Sequence, residues 1–288
     1  MATSLRSLST GTTQPLTSEA PIVGVDESVK SEVGGSAVVA VRCLPEAEGQ
    51  LLELLIECGL QPFRHKSYSL VHEGGRTASE RRDAVGSLVR RLRETAIEWR
   101  AIVCPRTLER AEIGAMSAMA AKKAITSTAY VGPEAIVFDG DLTDGDPAFK
   151  QIRRTASDNF DAGFTTNLCD VSLWAQPDAD KLLPQSVAAD YLAGYLVGEL
   201  AKSPESWNGE IEKRINRFDP SWMGAETTEW QELSALGHTY ENPSTSAGLW
   251  LTRQLECRDK STRKPCAEAI REICTPSVQA YLEELLLE

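Results

Sequence analysis

Acidic side chains stand at the ends of two predicted strands, and such side chains can hold divalent metal. The apolar run Pro21–Asp26 (PIVGVD) has strand length and ends on Asp26, which Glu27 follows. A second run, Glu134–Phe138 (EAIVF), is followed by Asp139. Ligands gather at strand ends in open α/β sheets, and Mg²⁺ prefers carboxylate oxygens. Each acid alone is more often a solvated loop residue, so the prediction depends on their combination.

The elements that must position these acids alternate between strands and helices, which predicts a mixed sheet flanked by helices. The first strand and Ser36–Leu44 are expected to form a hairpin through the turn Gly34-Gly35. Further strands are predicted over Trp99–Cys104, Glu134–Phe138 and Phe164–Trp174. Helices are predicted over Glu46–Cys58, from the Thr77–Glu80 cap to about Glu98, over Thr107–Ser127 and over Pro184–Lys202. A turn is predicted over Tyr68–Gly75.

Three regions follow from the change of pattern along the 288 residues. Residues 1–20 are rich in Ser and Thr and are expected to be a disordered tail without a signal peptide. Residues 21–205 carry the strands and acids, and are expected to be the catalytic domain. Residues 206–288 are expected to be a helical C-terminal extension.

Composition excludes several classes of protein. The net charge of −12 argues against a protein that coats nucleic acid by bulk attraction, although a local basic groove remains open. Arg81, Arg82, Arg90, Arg91 and Arg93 form one candidate basic helix face. The seven cysteines are scattered and never paired as CxxC, which indicates a reducing cytoplasm and neither a disulfide scaffold nor a zinc site. No apolar run is long enough for a membrane span.

Five segments, in order, resemble the ribonuclease HII family. They are GVDESVKSEVGGSAVVAV (Gly24–Val41), TASERRDAVGSLVRRL (Thr77–Leu92), MSAMAAKKAI (Met116–Ile125), AIVFDGD (135–141) and DADKLLPQSVAADYLAGYL (178–196). The resemblance implies a ribonuclease H-like fold and an endonuclease that cuts RNA, or RNA in an RNA/DNA hybrid. It implies two Mg²⁺ or Mn²⁺ ions and a nucleic-acid partner, and a monomer is expected.

The same resemblance assigns the site residues. Asp26, Glu27, Asp139 and Asp180 would be the catalytic acids and metal ligands, with Asp26 bridging the two ions. Lys30, Lys66 and Ser186 would contact the substrate.

Asp190 has two interpretations. It lies among apolar neighbours on the last predicted helix, so it needs a partner. It is a candidate fifth metal ligand, or else it caps backbone groups or pairs with a Lys or Arg.

The chain departs from the family where that family reads the ribose. The Ala-Gly-Arg-Gly that follows Asp-Glu in the family is Ser28-Val29-Lys30-Ser31 here. Lys30 keeps a charge for phosphate, but the glycines that allow close backbone approach are gone. Two alternatives therefore stay open: a ribonuclease H-fold nuclease with a changed substrate, and a non-catalytic paralogue that binds nucleic acid or a partner protein.

Overall fold

The computed structural model describes residues 5–7, 13–14, 21–33, 35–44, 47–92, 94–95, 97–104, 107–126, 134–140, 142–143, 145–152, 171–202, 221–222, 276, 280–281 and 284. The strands are β1 Leu5–Ser7, β2 Thr13–Gln14, β3 Ile22–Lys30, β4 Gly35–Cys43, β5 Glu98–Cys104, β6 Glu134–Asp139, β7 Val171–Gln176 and β8 Ser221–Trp222. The helices are α1 Glu48–Glu57, α2 Ser69–His72, α3 Ala78–Leu92, α4 Arg110–Thr126, α5 (147–152) and α6 Pro184–Lys202.

These strands form one mixed sheet in the order β2-β1-β7-β6-β3-β4-β5-β8. The hairpin β3–β4 and the pair β4–β5 are antiparallel, whereas β6 runs parallel to β3 and β7 runs parallel to β6. The carboxyl ends of β3, β6 and β7 therefore lie at the same edge of the sheet. The prediction of a mixed α/β sheet flanked by helices is confirmed.

Helices cover both faces of the sheet. Helices α1, α3 and α6 pack on one face, against alternate residues of β4 such as Val39 and Val41. Helices α4 and α5 pack on the other face, against Val38 and Ala40. Because side chains alternate along a strand, β4 is buried throughout. Helix α6 lies between the sheet and the helices α1 and α3, which explains why it is apolar nearly all round.

Gly24 allows α6 to lie directly on β3. A Cβ atom built on Gly24 would be 2.5 Å from the backbone nitrogen of Ser186 and 2.7 Å from the carbonyl carbon of Gln185. The neighbouring atoms are helix backbone and cannot turn aside. The absence of a side chain thus sets the distance between helix and strand, and so the place of Asp190 on α6.

We expect Gly24→Ala to lower the free energy of unfolding by about 3 kcal/mol, because the new methyl group must push α6 from the sheet. Gly198→Ala is the matched control on α6. A Cβ atom at Gly198 meets nothing within 4 Å, so better helix propensity should leave stability equal or up to about 1 kcal/mol higher. Urea unfolding of both variants measures the difference. Equal stabilities would contradict this account of the packing.

Most predicted elements are found, with shifted ends. The hairpin and the helix Pro184–Lys202 agree with the prediction. Helix α3 stops at Leu92 and does not reach Glu98, because the Thr95 hydroxyl donates to the Leu92 carbonyl and accepts from the Ile97 amide. The predicted turn over Tyr68–Gly75 contains the single helical turn α2.

Short strands lie within the regions that are predicted as a disordered tail and as a helical extension. Strands β1 and β2 fall within the predicted disordered tail, and β1 pairs with β7. Strand β8 falls within the predicted C-terminal extension, and it pairs with β5. The predicted strand Phe164–Trp174 is seen from Val171 onward, while residues 164–170 and most of the extension lie outside the described residues.

Candidate metal centre

Strand β3 places Asp26 and Glu27 directly after the last residue that pairs with the parallel strand β6. Residues 22–25 of β3 pair with β6, and the last pair joins Val25 to Phe138. The next residue on each strand is an acid, Asp26 on β3 and Asp139 on β6. The parallel pairing thus delivers two carboxylates side by side at the carboxyl edge of the sheet, as the sequence predicts.

Strand alternation separates Asp26 from Glu27. Asp26 lies on the same face of the sheet as Gly24, the face that α6 covers. Glu27 lies on the other face, with Val23 and Val25, which pack against α4. Asp26 is buried, and its carboxylate accepts a hydrogen bond from the Glu27 amide at 2.7 Å. The two neighbouring acids therefore have different surroundings.

The turn after β7 adds two more acids. A 3₁₀ turn, Ala179–Lys181, holds Asp180 with its side chain only 2% exposed. The amide of Ala179 donates to Asp139 Oδ1 at 2.6 Å, which fixes this turn against the end of β6. Asp178, which precedes it, has φ of 56°, a left-handed conformation that Asp tolerates better than most residues. Asp139 and Asp180 are thereby brought together.

The ammonium group of Lys66 lies among these carboxylates. Its Nζ atom is 2.9 Å from Asp180 Oδ1, 3.6 Å from Asp178 Oδ1 and 3.8 Å from Asp139 Oδ2. Burial works against its charge, but the hydrogen bond and charge of Asp180 raise the pKa of Lys66 above its usual value. The side chain is therefore a cation held by several acids.

Asp190 joins the cluster from α6 and also accepts a backbone hydrogen bond. Its Oδ2 atom accepts from the amide of Ser67, the residue after Lys66. Its negative charge is also close enough to Asp26 to raise the pKa of that carboxyl. Asp190 thus caps a backbone amide, as one interpretation expects, and it belongs to the acidic cluster; its role as a fifth metal ligand stays a prediction.

Burial and mutual repulsion disfavour the charged forms of these acids. Burial, followed by the charges of Asp190 and Asp139, raises the pKa of Asp26 well above its ordinary value. Burial and the charge of Asp180 raise the pKa of Asp139 to about 6, although Lys66 opposes the shift. Burial raises the pKa of Asp190 to about 7. One ammonium group does not neutralise the cluster.

Glu27 binds an arginine on the opposite face of the sheet. The Arg110 guanidinium is 3.0 Å from Glu27 Oε1 and 3.1 Å from Asp146 Oδ2. Burial raises the pKa of Glu27, and the charge of Arg110 opposes that shift. The Oε1 atom of Glu27 is thus held by Arg110 in this structure.

The cluster suits a hard divalent cation in charge and donor type. Among the described residues, no three His, Cys, Asp or Glu side chains already converge as a ready metal site. The Lys66 ammonium lies at the place where the acids meet. Asp180 Oδ2 is buried and has no hydrogen-bond partner among the described residues. Mg²⁺ and Mn²⁺ prefer carboxylate oxygens as ligands, and the negative charge of these carboxylates is only partly balanced by Lys66. The residues fit such an ion if Lys66 moves.

The predicted substrate residues have different outcomes. Lys30 ends β3, and burial followed by the charge of Arg81 lowers its pKa, so two cations lie close together there. Lys66 contacts acids, and substrate contact by it stays a prediction. Ser186 is fully buried where α6 packs on Gly24, and substrate contact by it also stays a prediction.

Sequence reasoning missed Arg110, Asp146 and Asp178. Arg110 begins the helix that the sequence predicts from Thr107, yet nothing local indicates that it contacts residues 83 positions earlier and 36 later. Asp178 lies two residues before Asp180 in a segment already singled out, so its acid type was a usable signal. These three residues define the charged rim of the cluster.

Comparisons with known proteins give a distant likeness among solved structures. No family model and no curated protein sequence matches the chain. Among solved structures, the chain is similar to ribonuclease HII in a PCNA:RNase HII complex from Archaeoglobus fulgidus, with 12% identity and a TM-score of 0.39, covering 69% of this chain and 88% of that one. Within the described part of the chain, no helix is long and apolar enough to cross a membrane.

Proposed function

We propose that this protein is a metal-dependent endonuclease that hydrolyses phosphodiester bonds in RNA or in an RNA/DNA hybrid. The observation that supports this most is the gathering of Asp26, Asp139, Asp180 and Asp190 at one sheet edge around the Lys66 ammonium group. Buried carboxylates in this number are costly to a fold, and a catalytic metal site gives them a purpose.

Four acids would hold the metal. Asp26 lies beside the end of β6 and would be the ligand shared by two ions, with Asp139 and Asp180 as the further ligands. Glu27 would join after releasing Arg110. Two bound Mg²⁺ or Mn²⁺ ions would activate a water molecule and stabilise the leaving oxygen of the phosphodiester. Asp190 is a further candidate ligand.

The remaining charged residues would orient the nucleic acid. Lys30 and Arg81 form a basic pair at the end of β3, beside the acidic cluster. Arg81 is also fixed by its hydrogen bond to the Ser67 carbonyl at 2.9 Å. A phosphate backbone running over this pair would be attracted by charge and oriented by a held guanidinium. Binding should therefore weaken as salt rises.

The strand β3 favours the alternative of a changed substrate among ribonuclease H-fold nucleases. Residues 28–30 are regular strand paired with β4, and Val29 pairs with Ser36. A β-branched residue favours this extended conformation, and no glycine is present to let the backbone approach a ribose closely. We propose that the enzyme has little preference for a single embedded ribonucleotide over a continuous RNA/DNA hybrid.

We expect a duplex with one embedded ribonucleotide to be cut no better than a continuous RNA/DNA hybrid. Three labelled duplexes, these two and one of DNA alone, are incubated with Mg²⁺ or Mn²⁺ and resolved by length. A strong preference for the single ribonucleotide would contradict the substrate proposal. Cleavage of DNA alone would favour the changed substrate, and cleavage of none, with binding retained, would favour a non-catalytic paralogue.

A further inference from the structure

We infer that Lys66 occupies the cation position of the acidic cluster and thereby limits how tightly divalent metal binds. This inference rests on the proposed metal site and adds a competitor to it. The Nζ atom lies within 4 Å of Asp139, Asp178 and Asp180. A divalent cation bound by Asp139 and Asp180 would need much of the same space. Two like charges cannot share it, so metal must displace the ammonium group.

The chain holds Lys66 in this place through the backbone of its neighbours. The Ser67 amide donates to Asp190 on α6, and the Ser67 carbonyl accepts from Arg81 on α3. Before it, the His65 carbonyl accepts from the Tyr191 hydroxyl at 2.8 Å. Both flanking peptides are thus fixed to helices, and only the flexible side chain of Lys66 is left to move.

Gly194 is the reason that this loop can lie so close to α6. A Cβ atom built on Gly194 would be 2.5 Å from the Ser67 hydroxyl. The close approach brings the Ser67 amide within reach of Asp190, one helical turn earlier. The loop is therefore built to present Lys66, since its anchors lie on two separate helices.

The ammonium satisfies the acids incompletely, which leaves a divalent ion able to compete. Asp180 Oδ2 is buried without a hydrogen-bond partner among the described residues, although Lys66 contacts Oδ1 of the same carboxylate. The acids outnumber this cation, and a divalent ion carries twice its charge. Metal should thus win at sufficient concentration, and Lys66 should raise the concentration required.

The test measures Mn²⁺ binding to the full chain by the loss of the free-ion electron paramagnetic resonance signal. Lys66→Met keeps the length of the side chain and removes its charge, and we expect at least about tenfold tighter binding. Lys181→Met is the matched control, because Lys181 contacts the exposed Asp178 at 3.3 Å. It removes the same charge at the exposed rim of the cluster and should change affinity less than about threefold.

Equal or weaker Mn²⁺ binding by Lys66→Met, with the wild type binding normally, would overturn the inference and leave the metal site standing. Absence of Mn²⁺ binding in both the wild type and Lys66→Met would instead reject the proposed metal site. A second measurement needs no variant: acylation of wild-type Lys66, followed by peptide mass spectrometry, should speed up as Mn²⁺ releases the amine to solvent. Lys181 acylation should not change. An unaltered Lys66 rate at saturating Mn²⁺ would also overturn the inference.

Discussion

Replacing Asp26 by Asn should abolish phosphodiester hydrolysis while the metal-free protein melts at an equal or higher temperature. Asp26 is 7% exposed, and its pKa is raised by burial and then by the charges of Asp190 and Asp139. Asn keeps the shape of the side chain and removes the repelling charge. Each 1 kcal/mol of repulsion relieved would raise the melting temperature by roughly 2–4 °C. Loss of a shared metal ligand should lower turnover at least about a thousandfold.

Asp83→Asn is the matched control for this variant. Asp83 lies on α3 with its side chain 73% exposed, and its nearest cation is the Arg82 guanidinium at 3.9 Å. The same change there should alter neither turnover nor melting temperature appreciably. Hydrolysis is followed on a labelled hybrid, and melting is followed in chelator. Normal turnover by a clean Asp26→Asn preparation would show that the cluster is not the catalytic site.

In Asp26→Asn, a loss of turnover together with an unreduced melting temperature would distinguish a functional site from a structural one. An acid retained for stability should cost stability when it is neutralised, because it leaves its partners unsatisfied. Among the described residues, the hydrogen bond that Asp26 accepts comes from the adjacent Glu27 amide, and an Asn oxygen accepts that bond equally well. A gain in stability with a loss of activity would therefore identify a site whose charge is kept for chemistry.

The acids on regular strands could be predicted because the sequence period places them. Asp26 and Asp139 each follow an apolar strand, and parallel pairing of those strands puts them side by side. The same period of two places Glu27 on the other face of the sheet. Grouping it with Asp26 by adjacency alone, as the resemblance does, overlooks Arg110, which holds it in this structure.

The residues that act through tertiary packing could not be predicted. Asp190 meets Ser67 across 123 positions of sequence, and Gly194 decides how closely the two segments approach. Neither contact has a local signal in the sequence. The position of Lys66 depends on both, so its place among the acids appears only once α6 and its loop are packed. The local sequence pattern predicts the strands, whereas the packing of α6 against the loop determines the position of the Lys66 ammonium group.

Stability of the metal-free protein should fall as pH rises from about 4 to about 7. Burial raises the pKa of Asp190 to about 7 and that of Asp139 to about 6, whereas both stay near 3.8 when unfolded. Over this window the folded chain keeps protons that the unfolded chain has lost, so deprotonation favours unfolding. Well above pH 7 both carboxyls are ionised in the folded and in the unfolded chain, and their contribution is constant. Between pH 5 and 7.5 the loss should be on the order of 3 kcal/mol, shared with Asp26 and Asp180.

Asp190→Asn isolates the contribution of one group, because Asn still accepts the Ser67 amide but does not titrate. Urea unfolding at pH 5 and 7.5 in chelator should show a smaller fall for this variant than for the wild type. Mg²⁺ should reverse the wild-type trend, since the ion binds ionised carboxylates and competes with protons. A wild-type stability that rises with pH in chelator as steeply as in Mg²⁺ would contradict the charge balance described here. It would mean that Lys66 alone neutralises the acids, and that the cluster needs no metal to stay ionised.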